Sequence, residues 1–349
     1  MVKFFRFYTD RIGHLASNTE LFLREAYNPN EKYIGLVDDY ISNKTLLNMF
    51  SRTFCDRIIY NKLFTKFIHK FKPKNYIFHY DFRPHAYKSF KGKPVLKFTT
   101  KENWIGMKTL KMMGIDSWYV CFHSRDSTYL DKRKKTHRDF SYHDYRDCDI
   151  KNQLKAMEYI TKQGGYAIRM GHMVKEPLKT DNPRIIDYAT KYRNDFMDIY
   201  LPAHAKFFVG ISAGLINIAY LFNTPIAAIN VTPLEYIDIP KQGVFIPKLI
   251  YSKNLKRKLT FQEILDNGYG TLLRTMQFTS KGLINIENTP DEILELCKEL
   301  NKRINGTWKN KNINLQKKYW DLIQPWHRCY GCSTPIGSNF IKKYEELLE

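Results

Sequence analysis

The chain has 349 residues, which at roughly 100–200 residues per domain is room for about two domains and two cores. Hydrophobic residues make up 43%, aromatic residues 15% and charged residues 26%, a globular balance that excludes a disordered, fibrous or disulfide-stapled chain. Lys and Arg number 56 against 35 Asp and Glu, a formal charge of +21, so the partners to expect are anionic: nucleic acid, an acidic membrane surface or phosphate-bearing ligands.

The first segment reads as an α/β unit, with a strand over Lys3 to Tyr8, a loop over Thr9 to His14 and a helix over Leu15 to Glu25. Lys3 and Arg6 stand where a signal peptide would be apolar, and the six cysteines, at 55, 121, 148, 297, 329 and 332, form no repeating framework. Both observations point to a cytosolic chain with mostly reduced thiols. Further strands are expected at Tyr33 to Val37, Arg57 to Tyr60, Tyr76 to His79 and Val95 to Thr99. Between them, Asn61 to Lys72 puts Leu63, Phe64, Phe67, Ile68 and Phe71 on one helical face with Lys62, Lys66, Lys70 and Lys72 mostly off it. The favoured reading is a helix covering its own sheet; the other is a helix that docks on an anionic membrane.

After Gly114 the pattern restarts, with a strand at Trp118 to Phe122 and a basic loop at Lys132-Arg133-Lys134-Lys135. A helix capped by Asp149 turns Ile150, Leu154, Met157 and Ile160 inward and ends at Gly164-Gly165, from which Tyr166 to Met170 leaves as a strand. A helix is expected over Asn194 to His204. Residues 207 to 234 contain no charge and could span a bilayer by length, but Gly210, Ser212, Gly214, Asn217 and Pro225 cut them into strand, turn, helix, turn and strand. Leu283 to Ile286 reads as a strand, and Thr289-Pro290-Asp291-Glu292 opens a helix. Strand and helix alternate in both halves. The fold class is therefore α/β, two Rossmann-like doubly wound domains facing a cleft, with a hinge near residues 105–117. The expected division is residues 1–112, residues 113–335 and a closing helix over 336–349.

Such a cleft places strand ends and helix starts on a ligand. Phe207-Phe208-Val209-Gly210-Ile211-Ser212-Ala213-Gly214 runs from a strand through small residues into a helix, so amide groups there could hold a phosphate; a plain tight turn is equally compatible. Arg125, after a strand end, could grip two phosphate oxygens or pair with Asp126 or another acid. Arg169 and Gly171 repeat that position one strand on. In the first half, Gly13 allows close backbone approach, and His14 and Glu20 are candidate bases. His327, Cys329 and Cys332 have the spacing of three zinc ligands but no clear fourth, so they read as a reduced surface pair beside a histidine. No Asp-x-Asp stands where a donor-chelating ion would sit, because Asp147-Cys148-Asp149 leads into a helix cap, and the run Lys253, Lys256, Arg257 and Lys258 reads as a solvated face.

Arg11-Ile12-Gly13-His14-Leu15, Asn18 to Glu25, Tyr119 to Asp126, Ile168-Arg169-Met170-Gly171 and Asp195 to Leu201 resemble a family of bacterial glycosyltransferases found in surface-polysaccharide gene clusters, over most of residues 7–235. More distantly, His123-Ser124-Arg125-Asp126 and Phe208 to Gly214 are similar to donor-binding motifs of fucosyltransferases with the glycosyltransferase B fold. The resemblance implies that Arg125 holds a donor diphosphate with His123 beside it and the turn Gly210, Ser212, Ala213 and Gly214 nearby. Asp126 follows Arg125 where those enzymes carry a second Arg, so a sugar nucleotide is implied without its sugar being named. The reading that results is metal-independent glycosyl transfer, with no cofactor, from a nucleotide-sugar donor to a glycan or lipid-linked glycan acceptor, in the cytoplasm or at the inner face of the membrane. The alternative is a non-catalytic basic nucleic-acid-binding protein; the basic residues are spread along the chain without a nucleic-acid-binding signature, so no nucleic acid partner is expected.

Overall fold

The computed structural model describes residues 2–38, 40–71, 73–77, 92–125, 141–237 and 243–349. Strands β1 (Val2–Arg6), β2 (Lys32–Val37), β3 (Arg57–Tyr60) and β4 (Tyr76–Ile77) are separated by the helices Ile12–Glu25, Lys44–Phe54 and Lys62–Phe71. They pair in parallel in the order β3-β2-β1-β4. Right-handed crossovers give this order when the chain steps outward twice and then returns past its first strand. Edge-on contacts among Phe5, Phe7, Phe22, Tyr33 and Phe54 fill the space between the sheet and its helices.

The second lobe repeats the plan with β5 (Tyr119–His123), β6 (Tyr166–Arg169), β7 (Ile185–Ile186), β8 (Phe207–Gly210), β9 (Ile226–Val231) and β10 (Gly243–Pro247). Their order is β10-β9-β8-β5-β6-β7, all parallel. Counted from β5, this is the doubly wound Rossmann order, and the direction of winding reverses between β5 and β8. β5, β8 and β9 are buried along their whole length, which is why they read as uninterrupted apolar runs. The uncharged stretch from residue 207 is interior sheet and helix, and among the described residues no helix is long and apolar enough to cross a membrane.

Four expectations change. Val95 to Thr99 forms no strand: the Thr99 hydroxyl accepts from the Glu102 amide while the Glu102 carboxylate accepts from the Thr99 amide, and this reciprocal cap starts a helix, Thr100–Met112, through the expected hinge. The first helix begins at Ile12, so Gly13 and His14 belong to its first turn. Leu283 to Ile286 (β13) joins β11 (Leu249–Ser252) and β12 (Arg257–Lys258) in a separate antiparallel sheet. Periodicity detects a strand but not its partner. The closing segment is a short helix, Ser338–Lys343, and a final turn; Tyr344 there donates to Glu292 at 2.7 Å, which ties it to the helix Pro290–Ile304 of the second lobe. His79 and the basic loop at Lys132 to Lys135 lie outside the described residues.

Candidate functional site

At the winding reversal, the ends of β5 and β8 pair His123 with Gly210, and the loops that follow turn apart. Between these loops and the first helix lies a cleft of about 460 Å³, lined by Arg11, Gly13 and His14 from the first lobe and by Arg125, Arg146 and Ser212 from the second.

Two glycines set how closely the lobes meet. A Cβ on Gly13 would stand 3.0 Å from the Cα of Gly214 and 2.8 Å from Asn217 Nδ2, and one on Gly214 would stand 2.7 Å from Ile12 Cγ2. The space that the sequence reading reserved at Gly13 for a ligand is taken by the other lobe. Ser17 donates to Asn217 at 2.9 Å beside this contact, and Asp195 accepts from the Asn43 side chain at its carbonyl and from the Lys44 amide at its carboxylate.

The small-residue turn offers less to an anion than its composition promised. The Ala213 amide donates to the Ile211 carbonyl at 2.7 Å, and regular helix starts only at Ile216 and lasts six residues, too short for much of a dipole. Ser212, Ala213 and Gly214 line the cleft, but Gly210 is buried in β8 against Phe208. Arg125 lines the cleft as expected, its guanidinium paired with Asp147 and donating to the His143 carbonyl at 3.2 Å. Of the two alternatives for Arg125, the structure shows the ion pair, with Asp147 as the acid; Asp126 lies outside the described residues. Arg169 is instead buried in a 3.0 Å salt bridge with Asp187 and is not part of the cleft wall, which Gly171 does line. Glu20 is fully buried against Arg24 at 2.6 Å, its carboxyl pushed up by desolvation, and is no part of the cleft wall. His14 is exposed on that wall, with Nδ1 3.7 Å from the Asp10 carboxylate.

The residues that sequence reasoning missed sit on one 3-10 turn, Ser141–Arg146. Tyr-His-Asp-Tyr-Arg there looks like any polar loop, and only tertiary contacts place it. The Tyr145 amide donates to the Thr275 hydroxyl, which donates to the Ser141 carbonyl; buried Lys248 donates to the carbonyls of Tyr145 and Asp147 at 3.2 and 2.6 Å. So held, Arg146 enters the cleft and donates to the Ser212 carbonyl at 3.2 Å. Its Nε is buried with no hydrogen-bond partner, no carboxylate among the described residues pairs with it, and burial lowers its pKa. An uncompensated buried guanidinium is costly unless something anionic joins it. His143 reports the same field: burial first, then the charges of Arg146, Arg125, Arg11 and His14, bring its pKa to about 3. Burial, with Arg169 and Arg125, lowers His123 to about 4, and the Nδ1 of each imidazole is buried without a partner. Asp198, the one acid among the described residues lining the cleft, is raised to about 6 by burial and held by the Tyr188 hydroxyl at 2.8 Å and by Arg193 at 2.7 Å. It braces the wall and pairs with Arg193 rather than with Arg146.

The pair Cys329 and Cys332 is buried rather than on the surface, and His327 Nδ1 accepts from the Gln324 amide at 2.9 Å. Among the described residues no three His, Cys, Asp or Glu side chains are grouped to hold a metal ion.

No family profile and no curated protein matches the chain by sequence. Among solved structures it is similar to a glycosyl transferase family 9 protein from Veillonella parvula (8% identity, TM-score 0.49, covering 85% of this chain and 96% of that one). It is also similar to the ADP-heptose lipopolysaccharide heptosyltransferase II of Escherichia coli (13% identity, TM-score 0.44, covering 70% and 90%). At these identities and scores neither likeness decides fold or activity; the strand order above establishes two Rossmann-ordered α/β lobes about a cleft.

Proposed function

We propose that this protein is a glycosyltransferase that binds a nucleoside diphosphate-sugar in the second lobe, at the winding reversal, and a surface glycan or lipid-linked glycan acceptor against the first. In this reading residues 1–112 form the acceptor side, 113–335 the donor side and 336–349 the closing segment. The observation that carries it is Arg146, a partly buried cation whose Nε is sealed from solvent and which no acid among the described residues meets, at the place where a Rossmann-ordered sheet receives a ligand's phosphates. The motif resemblance around Arg125 and Ser212 to Gly214 supports the same donor. The acceptor hydroxyl oxygen attacks the anomeric carbon, the bond from that carbon to the phosphate oxygen breaks, and its electron pair leaves on the diphosphate. Arg146 and Arg125 stabilise that charge as it grows, which makes a divalent ion dispensable. His14, on the opposite wall, takes the acceptor proton, whereas Glu20 of the same helix is sealed in the interior against Arg24. A thermal-shift panel of UDP, GDP, ADP, CDP and CMP tests the reading, because a ligand of the native state raises its melting temperature. At least one nucleoside diphosphate should stabilise the protein in EDTA more than its parent nucleoside does; no shift with any of them would remove the reading.

A further inference from the structure

The helix Lys62–Phe71 does not bury the face its periodicity marks as apolar. Thr65 and Ile68 face the first sheet, with Phe64 half-buried and edge-on to Phe4 at 6.4 Å, while Leu63, Phe67 and Phe71 remain 77%, 56% and 62% exposed. These three recur every four residues and so form one stripe along the helix, with the ring centroids of Phe67 and Phe71 4.5 Å apart and the planes tilted by 50°. Lys62, Lys66 and Lys70 recur at the same interval and run beside it, exposed. The outward surface is therefore half apolar and half basic. Six Lys and Arg residues lie from Arg57 to Ile77 and no Asp or Glu, so the segment is basic in composition. None of this helix lines the cleft.

We propose that the helix Lys62–Phe71 is a docking surface for an anionic lipid bilayer, with Leu63, Phe67 and Phe71 dipping among the acyl chains and the lysines meeting lipid phosphates. An apolar stripe alone would suit a second copy of the chain, and lysines alone would suit any polyanion. Their parallel arrangement on one exposed face matches an interface that is apolar below and anionic above. Docking would hold the first lobe, the proposed acceptor side, against a membrane carrying a lipid-linked acceptor, yet the docking itself requires no donor and no turnover.

The test is co-sedimentation of the full chain with phosphatidylcholine vesicles with and without phosphatidylglycerol, at low and high salt. Wild type should bind only the anionic vesicles, more weakly at high salt. Lys62→Glu/Lys66→Glu/Lys70→Glu should weaken partitioning about a hundredfold or more, each lysine near such a surface contributing about a factor of five and the reversed charge adding repulsion. Leu63→Ser/Phe67→Ser/Phe71→Ser should abolish the part that survives high salt. Both variants should keep the wild-type melting temperature and nucleoside diphosphate binding, because the altered side chains are exposed and away from the cleft, so failure of docking and failure of the donor reading are separable. Absence of wild-type binding to anionic vesicles overturns the proposal, as does undiminished binding in the glutamate variant or high-salt binding that persists in the serine variant. Self-association lost in the serine variant, or equally strong binding to mixed-sequence DNA lost in the glutamate variant, would reassign the surface to a second copy or to nucleic acid.

Discussion

Replacing Arg146 by Met keeps much of the side-chain volume and removes the charge. Without ligand the protein loses one 3.2 Å hydrogen bond to the Ser212 carbonyl and sheds a partly buried guanidinium that no described carboxylate offsets. These effects oppose each other, so the unliganded melting temperature should stay within about 2 °C of wild type. With a diphosphate in the cleft the balance changes, because Arg146 would then supply charge-assisted bonds worth about 1.5–3 kcal/mol, a roughly 10–150-fold loss of affinity on substitution. Calorimetric titration with UDP, GDP, ADP and CDP, with inorganic pyrophosphate as the bare anion and each free nucleoside as control, reads this directly. Nucleoside affinity should not move. Arg146→Lys should recover only part of the loss, since an ammonium on a flexible stem does not reproduce the planar fork. Unchanged diphosphate affinity in a folded Arg146→Met protein would refute the argument that the uncompensated cation marks the anion site.

Arg125→Ala should lower turnover more than donor affinity, by roughly 100-fold if about 3 kcal/mol of transition-state stabilisation is lost, and Asp147→Asn in the same protein should restore stability but not rate. Gly214→Val should lower the melting temperature and loosen the lobes, with both nucleoside and diphosphate binding affected, because the added side chain meets Ile12 and the Gly13 backbone; loss confined to diphosphates would place a ligand at that glycine instead. His143 and His123 have native pKa values of about 3 and about 4 against about 6.5 unfolded, so the unfolded chain binds more protons between these limits. Stability is then complete above about pH 6.5 and falls as pH drops toward 4, and His143→Gln should flatten the plot of melting temperature against pH. On the proposed reading a bound diphosphate would face His143, which burial and the charges of Arg146, Arg125, Arg11 and His14 already hold neutral, and would favour the imidazolium, so titrations in buffers of different ionisation enthalpy should reveal proton uptake on binding at mildly acidic pH.

Much of the architecture was legible in the residues. Strands buried on both faces announce themselves as apolar runs such as Phe207-Phe208-Val209 and Ile226 to Val231, and the caps at Asp149 and Thr289 mark helix starts. Alternation of the two element types leaves few ways to fold other than parallel sheets under helices. The same local rules could have found the helix at Thr100, whose Thr99 to Glu102 box was present but unread. Arg125, His14 and the Ser212 to Gly214 turn were placed at the cleft because strand ends in such sheets face their ligands.

What only the tertiary structure decided concerns partners rather than elements. Glu20 and Arg169 looked available until Arg24 and Asp187 were found beside them, and Gly13 looked like room for a ligand until Gly214 filled it. The helix at Lys62 has the periodicity of a buried face, yet the sheet it crosses covers Thr65 and Ile68 rather than the Leu63 stripe. Arg146 shows the reason most plainly. Its neighbours in sequence give it no role; its place in the cleft is set by Ser212, which it contacts, and by Thr275 and Lys248, which hold its turn, residues distant in sequence. Hydrophobic periodicity is a property of consecutive residues and survives in the sequence, whereas the electrostatic environment of a side chain is a sum over whatever the fold brings within a few ångströms, and that sum exists only once the chain has closed on itself.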